Sequence, residues 1–510
     1  MSKIVIDPVT RIEGHLKIEV TVDGGRVREA RASGTLFRGF EIFLRGRDPL
    51  DAQRITQRVC GVCPTAHATA SSRALDDAFG VKDAIPENGR LLRNLIFGCN
   101  YIQSHVLHFY HLAALDFVDV AAAADHAGED LDLASIRGFI GRGALGPFLP
   151  REEGDFRLSK EDNRRLAAHY VEALKVRRMA HEMLAIWGGK MPHSVGIVPG
   201  GVTQGPTTDR MANFLGKLQT VREFIEHRYI PDVLTVAKAY PDYFEIGAGC
   251  GKYLAYGVFD AGNGATHLVG GTTDAALAVC DVDAAKITES VTSSWLAGET
   301  LHPSEGRTEP DVKKAGAHSF IKAPRYDGAP HEVGPLARAL AAYVRGAEPV
   351  KTLVDEVLSA LGAEPKALFS TLGRHAARAI ETKIVADAMV GWLTKLVPGE
   401  PHCAEFKRPK ESRGCGLTDA PRGALGHWIR IEDGKIADYQ LVVPTTWNAS
   451  PQDERGQPGP IEQALVGTKV KDAKSPVELL RIVRSFDPCL ACAVHAVSPK
   501  GRMLGEFRVA

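Results

Sequence analysis

Two short stretches near opposite ends of the chain carry the residues best suited to chemistry. One runs Arg58-Val59-Cys60-Gly61-Val62-Cys63-Pro64-Thr65-Ala66-His67, the other Asp487-Pro488-Cys489-Leu490-Ala491-Cys492-Ala493-Val494-His495. Each is a Cys-x-x-Cys pair followed within a turn by a histidine. The two-residue spacer turns the backbone back on itself and points both sulfurs into one small volume. Thiolates are soft ligands, suited to zinc, nickel, copper and iron–sulfur centres. Delivered two by two, four sulfurs make a four-thiolate metal site. A zinc ribbon places its second pair about 15–20 residues after the first, whereas here the gap exceeds 400 residues. Closing a site across that gap requires the fold to bring both chain ends to its centre. That suits a buried reaction centre better than a structural clip.

The elements that must position these residues are legible in outline. Residues 3–35 alternate apolar and polar and turn at Asp23-Gly24-Gly25, which predicts a β-hairpin with Glu13 and His15 in its first half. Pro64 favours the start of a helix running to Ala78, so the first cysteine pair sits at a helix N-terminus, where the dipole stabilises thiolates. Residues 87–126, 159–188 and 208–240 are long helical segments. His105, His108 and His111 fall at i, i+3, i+6 on a mixed face and read as ordinary helix residues rather than a metal triplet. The Pro192-His193 to Gly200-Gly201 loop lacks a phosphate-loop lysine and reads as structural.

Residues 243–335 shift to Gly, Thr and Asp with short β-like runs, a β-rich excursion with a polar loop at 301–313. Residues 335–397 return to helix, most clearly over 368–396. From 423 to 447 the pattern is a hairpin about Asp433-Gly434. Pro421-Arg422 and Pro444-Thr445-Thr446 bracket it at one end, so a guanidinium and a hydroxyl can face one site. A short helix, 476–485, leads into Asp487-Pro488-Cys489. Together these predict an α+β fold, mainly helical: a long-helix bundle core with peripheral β-hairpins and small sheets, its N- and C-terminal Cys-x-x-Cys motifs meeting at a buried metal site.

Bulk composition narrows the function classes. The chain has 510 residues, 44% hydrophobic and 24% charged, within the range of ordinary globular proteins. Lysine plus arginine equals aspartate plus glutamate at 62 each, which argues against a nucleic-acid or polyanion binder. Nine cysteines fall as two pairs and five singles (Cys99, Cys250, Cys280, Cys403, Cys415), which is not a disulfide framework. No apolar run reaches the roughly 20 residues of a membrane-spanning helix, and the N-terminus carries no signal-peptide pattern. Read alone, that indicates the cytoplasm.

The paired motifs have companions: Arg11-Ile12-Glu13-Gly14-His15, Phe37-Arg38-Gly39-Phe40-Glu41, Gly46-Arg47-Asp48-Pro49, Ala420-Pro421-Arg422-Gly423 and Val443-Pro444-Thr445-Thr446-Trp447-Asn448. In this order, over nearly the whole chain, they resemble the signatures of the large, catalytic subunit of nickel–iron hydrogenases. The resemblance is to the uptake/periplasmic branch and also to the selenium-containing relatives, which carry selenocysteine where this chain has Cys489. That departure leaves the reaction class intact and removes the basis for selenium-type oxygen tolerance.

The resemblance implies a set of roles. Cys60 and Cys489 are terminal ligands of nickel; Cys63 and Cys492 bridge it to an iron carrying CO and CN. The reaction is reversible heterolytic cleavage of H2, with the Cys489 sulfur or Arg422 as the first base and Glu13 as the next proton acceptor. A terminal thiolate is the better proton carrier, because a free guanidine is costly at neutral pH. Read without the family, Glu13 is a surface carboxylate, Arg422 a salt-bridge residue and His67 either a core histidine or a donor to a cluster sulfur. Glu41, the backbone carbonyl of Leu441 and His495 are implied to hold a magnesium-like cation; the alternative for Glu41 is an ion pair with Arg38. Asp116 and Asp487 are implied near the active-site arginine, and Pro421 and Thr445 around the iron ligands.

The family also implies partners. No cysteine set remains for iron–sulfur clusters, so a separate iron–sulfur small subunit is expected as heterodimer partner. Nickel-insertion chaperones and a maturation protease are implied, the latter cutting between His495 and Ala496. Residues 1–495 then form one intertwined unit and 496–510 a removable tail. Such large subunits can be exported with their small subunit, which points to the periplasm or cell envelope, with the cytoplasm as the alternative.

Overall fold

The computed structural model describes residues 1–124, 128, 130–142 and 155–493. The N-terminal stretch forms three antiparallel strands, β1 (Ser2–Ile6), β2 (Leu16–Asp23) and β3 (Arg26–Gly34), paired in that order. Leu16, Ile18, Val20 and Val22 of β2 are buried and the residues between them are half-exposed, the period of two of a sheet with one covered face. Gly24 and Gly25 join β2 to β3 with φ of 58° and 73°. Two successive positive φ values make the turn whose twist matches the strands, and glycine adopts them at no steric cost. The expected hairpin is thus a three-stranded sheet. Glu13 lies outside its strands, in the connection from β1 to β2.

Helix α1 (Pro64–Ala78) starts directly after Cys63, with Pro64 at a first-turn position where its missing N–H costs nothing. Strand β4 (Ser412–Ala420) lies against α1 with almost no intervening space. A Cβ on Gly414 would stand 2.1 Å from the Ala74 carbonyl oxygen, and one on Gly416 2.0 Å from that of Ala70. Those two glycines therefore set the helix–strand approach. Strands β5 (Gly423–Glu432) and β6 (Lys435–Val442) continue the sheet in order, joined through Asp433-Gly434 at φ 49° and 71°.

The helical core consists of α2 (Glu87–Val106), α3 (Lys160–Gly188), α4 (Thr208–Phe224), α5 (Ile230–Ala239), α6 (Pro335–Val344) and α7 (Thr371–Thr394). α2 packs on α3 and α7, and α3 on α4. Two of the segments that read as single helices are interrupted by π turns: Leu107–Ala113 follows α2, and Ile225–Tyr229 separates α4 from α5. Between residues 243 and 335 the chain forms short strands in a four-stranded sheet and two-stranded ribbons. One apolar core runs from Ile4 to Ala493, with a smaller cluster around Trp428 and Trp447. Among the described residues, no helix is long and apolar enough to cross a membrane.

A buried ion network ties the bundle to the sheet. Arg338 on α6 donates through Nε and Nη2 to the Glu381 carboxylate on α7, each at 2.6 Å. It also donates to the carbonyls of Ala420 (3.1 Å) and Pro421 (2.9 Å), in the turn from β4 to β5 that carries Arg422. His105 on α2 lies 2.8 Å from Glu381. Burial alone would push the Glu381 carboxyl up, but Arg338 and His105 outweigh it and hold it at about 2. A depressed carboxyl stabilises the fold above its unfolded value near 4.5 and loses that contribution as pH falls toward about 2. Glu381→Gln removes the bidentate counter-charge of Arg338 and leaves it the Asp419 carboxylate at 3.4 Å, which costs about 3–5 kcal/mol. For a chain of this size that lowers the thermal midpoint by about 4 °C. Calorimetry at neutral pH is expected to show the drop, and the gap from the parent is expected to narrow as the pH is taken below about 4.5.

Candidate metal centre

Cys60 and Cys63 come from the loop before α1. Cys489 and Cys492 follow α8 (Val477–Ser485), on the turn and short helix Leu490–Ala493. All four are buried, and their sulfurs lie within 4.8 Å of one another. The closest approaches are Cys489–Cys492 at 3.1 Å, Cys60–Cys489 at 3.2 Å and Cys63–Cys492 at 3.4 Å. The two chain ends are stitched together by backbone. Glu13 N–H donates to the Pro488 carbonyl (3.3 Å), and Leu490 N–H donates to the Glu13 carbonyl (2.7 Å). Gly14 makes this approach possible: at φ 81°, a Cβ there would stand 2.7 Å from Leu490 Cβ and 2.8 Å from Ala491 N.

The chemistry of the donor set fits a soft cation. Hydrogen bonds from Cys489 first, then Cys492 and Cys63, hold the Cys60 thiol well below its ordinary range, aided by backbone N–H groups of Val62 and Cys63 at 3.2 and 3.4 Å. Burial pushes Cys489 and Cys492 well above theirs. Four sulfurs packed this tightly cannot all ionise unless a cation replaces their protons. Nickel and iron are both thiolate-compatible metals.

Charged groups surround the sulfurs. Glu13 Oε2 is 3.1 Å from Cys489 Sγ and accepts the Ala491 N–H at 2.9 Å. Burial first, and then the Cys60 charge, raise its carboxyl above the usual range. Arg422 is anchored by Asp487, donating Nε to its carbonyl and Nη2 to its carboxylate, both at 3.0 Å, and Nη1 to Ser104 Oγ at 3.3 Å. Burial opposes its charge, but Asp487 and the sulfurs of Cys489, Cys63 and Cys60 more than compensate. Thr445 Oγ1 accepts the Cys489 N–H at 2.9 Å, so the hydroxyl expected at this end of the hairpin fixes the position of a ligand. Pro421 contributes its carbonyl to Arg338. Asp116 Oδ1 is held by two guanidiniums, Arg11 and Arg484, each at 2.5 Å.

Glu41 is buried in a cluster of oxygen donors. Its Oε1 accepts the Leu441 N–H at 2.8 Å, and its Oε2 accepts from the Thr308 hydroxyl. Arg38 does not pair with it, donating instead to the carbonyls of Val59 and Arg58 at 2.7 Å each. The cation beside Glu41 is Lys322, at 3.4 Å, which also meets Glu289 (3.2 Å) and Gln440 Oε1 (2.7 Å). Burial pushes the Glu289 carboxyl up to about 7. Two buried carboxylates sharing one ammonium, with an amide and a hydroxyl oxygen nearby, are compatible with a hard cation. His495, the other side chain expected there, lies outside the described residues, as does the 496–510 tail. Lys322, Glu289 and Gln440 had no motif to announce them.

His67 is buried, with Nε2 3.5 Å from Cys492 Sγ and Nδ1 3.2 Å from His427 Nε2. Burial pushes its imidazole down to about 4. His105, His108 and His111 turn to separate partners, Glu381, the Arg484 carbonyl and the Tyr170 carbonyl.

Fold and site together define a metalloprotein whose four-thiolate centre is closed between the two ends of its chain. Residues 38–495 match the family described as nickel-dependent hydrogenase, and residues 3–33 match one described as HoxL-like. The periplasmic NiFeSe hydrogenase large subunit of Desulfomicrobium baculatum is 45% identical, over 97% of this chain and 95% of that protein. The uptake hydrogenase large subunit of Rhizobium leguminosarum bv. viciae is 38% identical, over 100% and 97%. The reduced Ni-Fe-Se hydrogenase of D. vulgaris Hildenborough superposes with a TM-score of 0.87 at 45% identity, over 97% of this chain and 100% of that one. The chain belongs to the nickel-dependent hydrogenase family, as a large subunit, and is an oxidoreductase acting on H2.

Proposed function

We propose that the four cysteines divide their work: Cys60 and Cys489 as terminal ligands of nickel, Cys63 and Cys492 as bridges to an iron bearing CO and CN. The observation that carries this reading is the contact between Glu13 Oε2 and Cys489 Sγ at 3.1 Å, at the edge of a four-sulfur cluster. When bound, the metals supply the Lewis acidity that polarises H2. Cys489 Sγ then holds the proton nearest the acceptor, and Glu13 takes it on; its raised carboxyl suits a site that must both receive and release. Arg422 keeps a fixed positive charge over the sulfurs, and Asp487 and Ser104 orient it. Around Glu41, the Leu441 carbonyl and His495, a magnesium-like cation would neutralise the carboxylates that Lys322 only partly balances.

The reading includes a maturation step at His495–Ala496 that frees residues 496–510, following nickel insertion by chaperones. Electrons pass to an iron–sulfur small subunit, and the heterodimer works at the periplasm or cell envelope, as the names of the relatives suggest. Metal analysis of the natively purified complex tests the centre. About one nickel and one iron per large subunit, beyond the iron of the partner, are expected; zinc without nickel would replace this reading with a zinc scaffold. Arg422→Lys is expected to keep nickel but lose about 10²-fold in H2 oxidation, because an ammonium cannot span Asp487 and Ser104 as the guanidinium does. Unchanged hydrogen uptake would sink its role.

A further inference from the structure

His67 does not face Cys492 alone. Its Nδ1 lies 3.2 Å from His427 Nε2, His427 Nδ1 lies 2.8 Å from the Tyr439 hydroxyl, and that hydroxyl lies 3.0 Å from Ser71 Oγ. All five residues, Cys492, His67, His427, Tyr439 and Ser71, are buried, and they come from four separate parts of the chain. One hydrogen in this row follows from its end. A sulfur that ligates a metal is a thiolate and accepts hydrogen bonds only. The His67 nitrogen facing it, Nε2, must therefore carry the hydrogen. The other His67 nitrogen, Nδ1, faces His427 Nε2, and His427 Nδ1 in turn faces the Tyr439 hydroxyl, so both rings are held at both nitrogens. The Tyr439 hydroxyl, which donates to Ser71 Oγ, closes the row at its far end.

We propose that His427 and Tyr439 are positioning residues for the metal centre: they hold the His67 ring in the orientation that places Nε2 against the Cys492 sulfur, to which it donates a hydrogen bond. The proposal rests on Cys492 being a ligand, as set out above. Its chemical consequence is electronic. A hydrogen bond to a ligand sulfur withdraws charge from it, so the sulfur gives less to the metals; losing the bond makes the centre more electron-rich and harder to reduce. The His427 and Tyr439 side chains reach the four sulfurs through His67, so a purely structural role would leave the electronic signature of the centre where it was.

The test uses the purified heterodimer. Infrared bands of the iron's diatomic ligands and nickel content are recorded for the parent, Tyr439→Phe, His427→Leu and His427→Gln. Tyr439→Phe and His427→Leu are expected to keep nickel, to shift the bands to lower wavenumber or split them, and to oxidise H2 about 10-fold more slowly, within the range typical for partners that orient metal ligands. His427→Gln retains an N–H donor and a carbonyl acceptor and is expected to restore the parent bands. Parent bands at their normal positions in both Tyr439→Phe and His427→Leu would overturn the positioning role while leaving the metal centre intact. Absence of the bands from the parent enzyme would overturn the metal centre and this role with it. Should Tyr439→Phe not accumulate, the contrast between His427→Leu and His427→Gln decides, and equal spectra for the two overturn the proposal.

Discussion

A Cys489→Ala variant is expected to purify with less than about a tenth of the parent's nickel and with H2 oxidation reduced by at least about 10³-fold. Changing a residue that merely orients a ligand typically costs 10–100-fold in metal affinity or activity, and deleting a ligand costs more. The structure adds a second reason. Cys489 Sγ is the meeting point of the site: it contacts Cys60, Cys492 and Glu13 at 3.2, 3.1 and 3.1 Å. Removing it deletes both a donor and the atom adjacent to the proton acceptor. The backbone of residue 489 remains held by Thr445 and by the pairing of Glu13 with its neighbours, so the fold is expected to survive. Atomic absorption and a hydrogen-uptake assay on the same preparation check both halves. Full nickel with full turnover would remove Cys489 from the ligand set.

The second large effect separates metal binding from proton transfer. Glu13→Gln is expected to retain nickel and iron at parent levels and to lose roughly 10²–10⁴-fold in H2 oxidation, the usual worth of a positioned proton acceptor. The amide is nearly isosteric, and its carbonyl oxygen can still accept the Ala491 N–H, while the main-chain bridge to Pro488 and Leu490 does not involve the side chain. What the amide lacks is a site for the proton. Metal content measured beside the uptake rate distinguishes the outcomes. Lost metal would mean that the carboxylate holds the loop together, and an unchanged rate would mean that protons leave the sulfur by another group.

The contrast between these two variants follows from how the site is built. Cys489 and Glu13 are 476 positions apart in sequence and 3.1 Å apart in space. Their side chains meet only because the backbone segments around them pair, with Gly14 admitting Leu490 at a distance no Cβ would allow.

The sequence by itself determined what depends on local backbone and ligand chemistry. The Cys-x-x-Cys spacing, Pro64 at a helix start, the Gly-Gly and Asp-Gly hairpin turns and the soft-donor character of four thiolates are all properties of a few adjacent residues. They held because each is enforced by steric limits within one turn of chain. Motif order extended this to Glu13, Glu41 and Arg422. Only the tertiary structure decided which groups those residues meet. Lys322 reaches Glu41 from 281 positions away, Asp116 pairs with Arg11 and Arg484, and His427 and Tyr439 stand behind His67. These contacts leave no periodic trace in the sequence, because each is fixed by packing between distant elements. A buried charge or imidazole takes whichever partner that packing brings within hydrogen-bond reach.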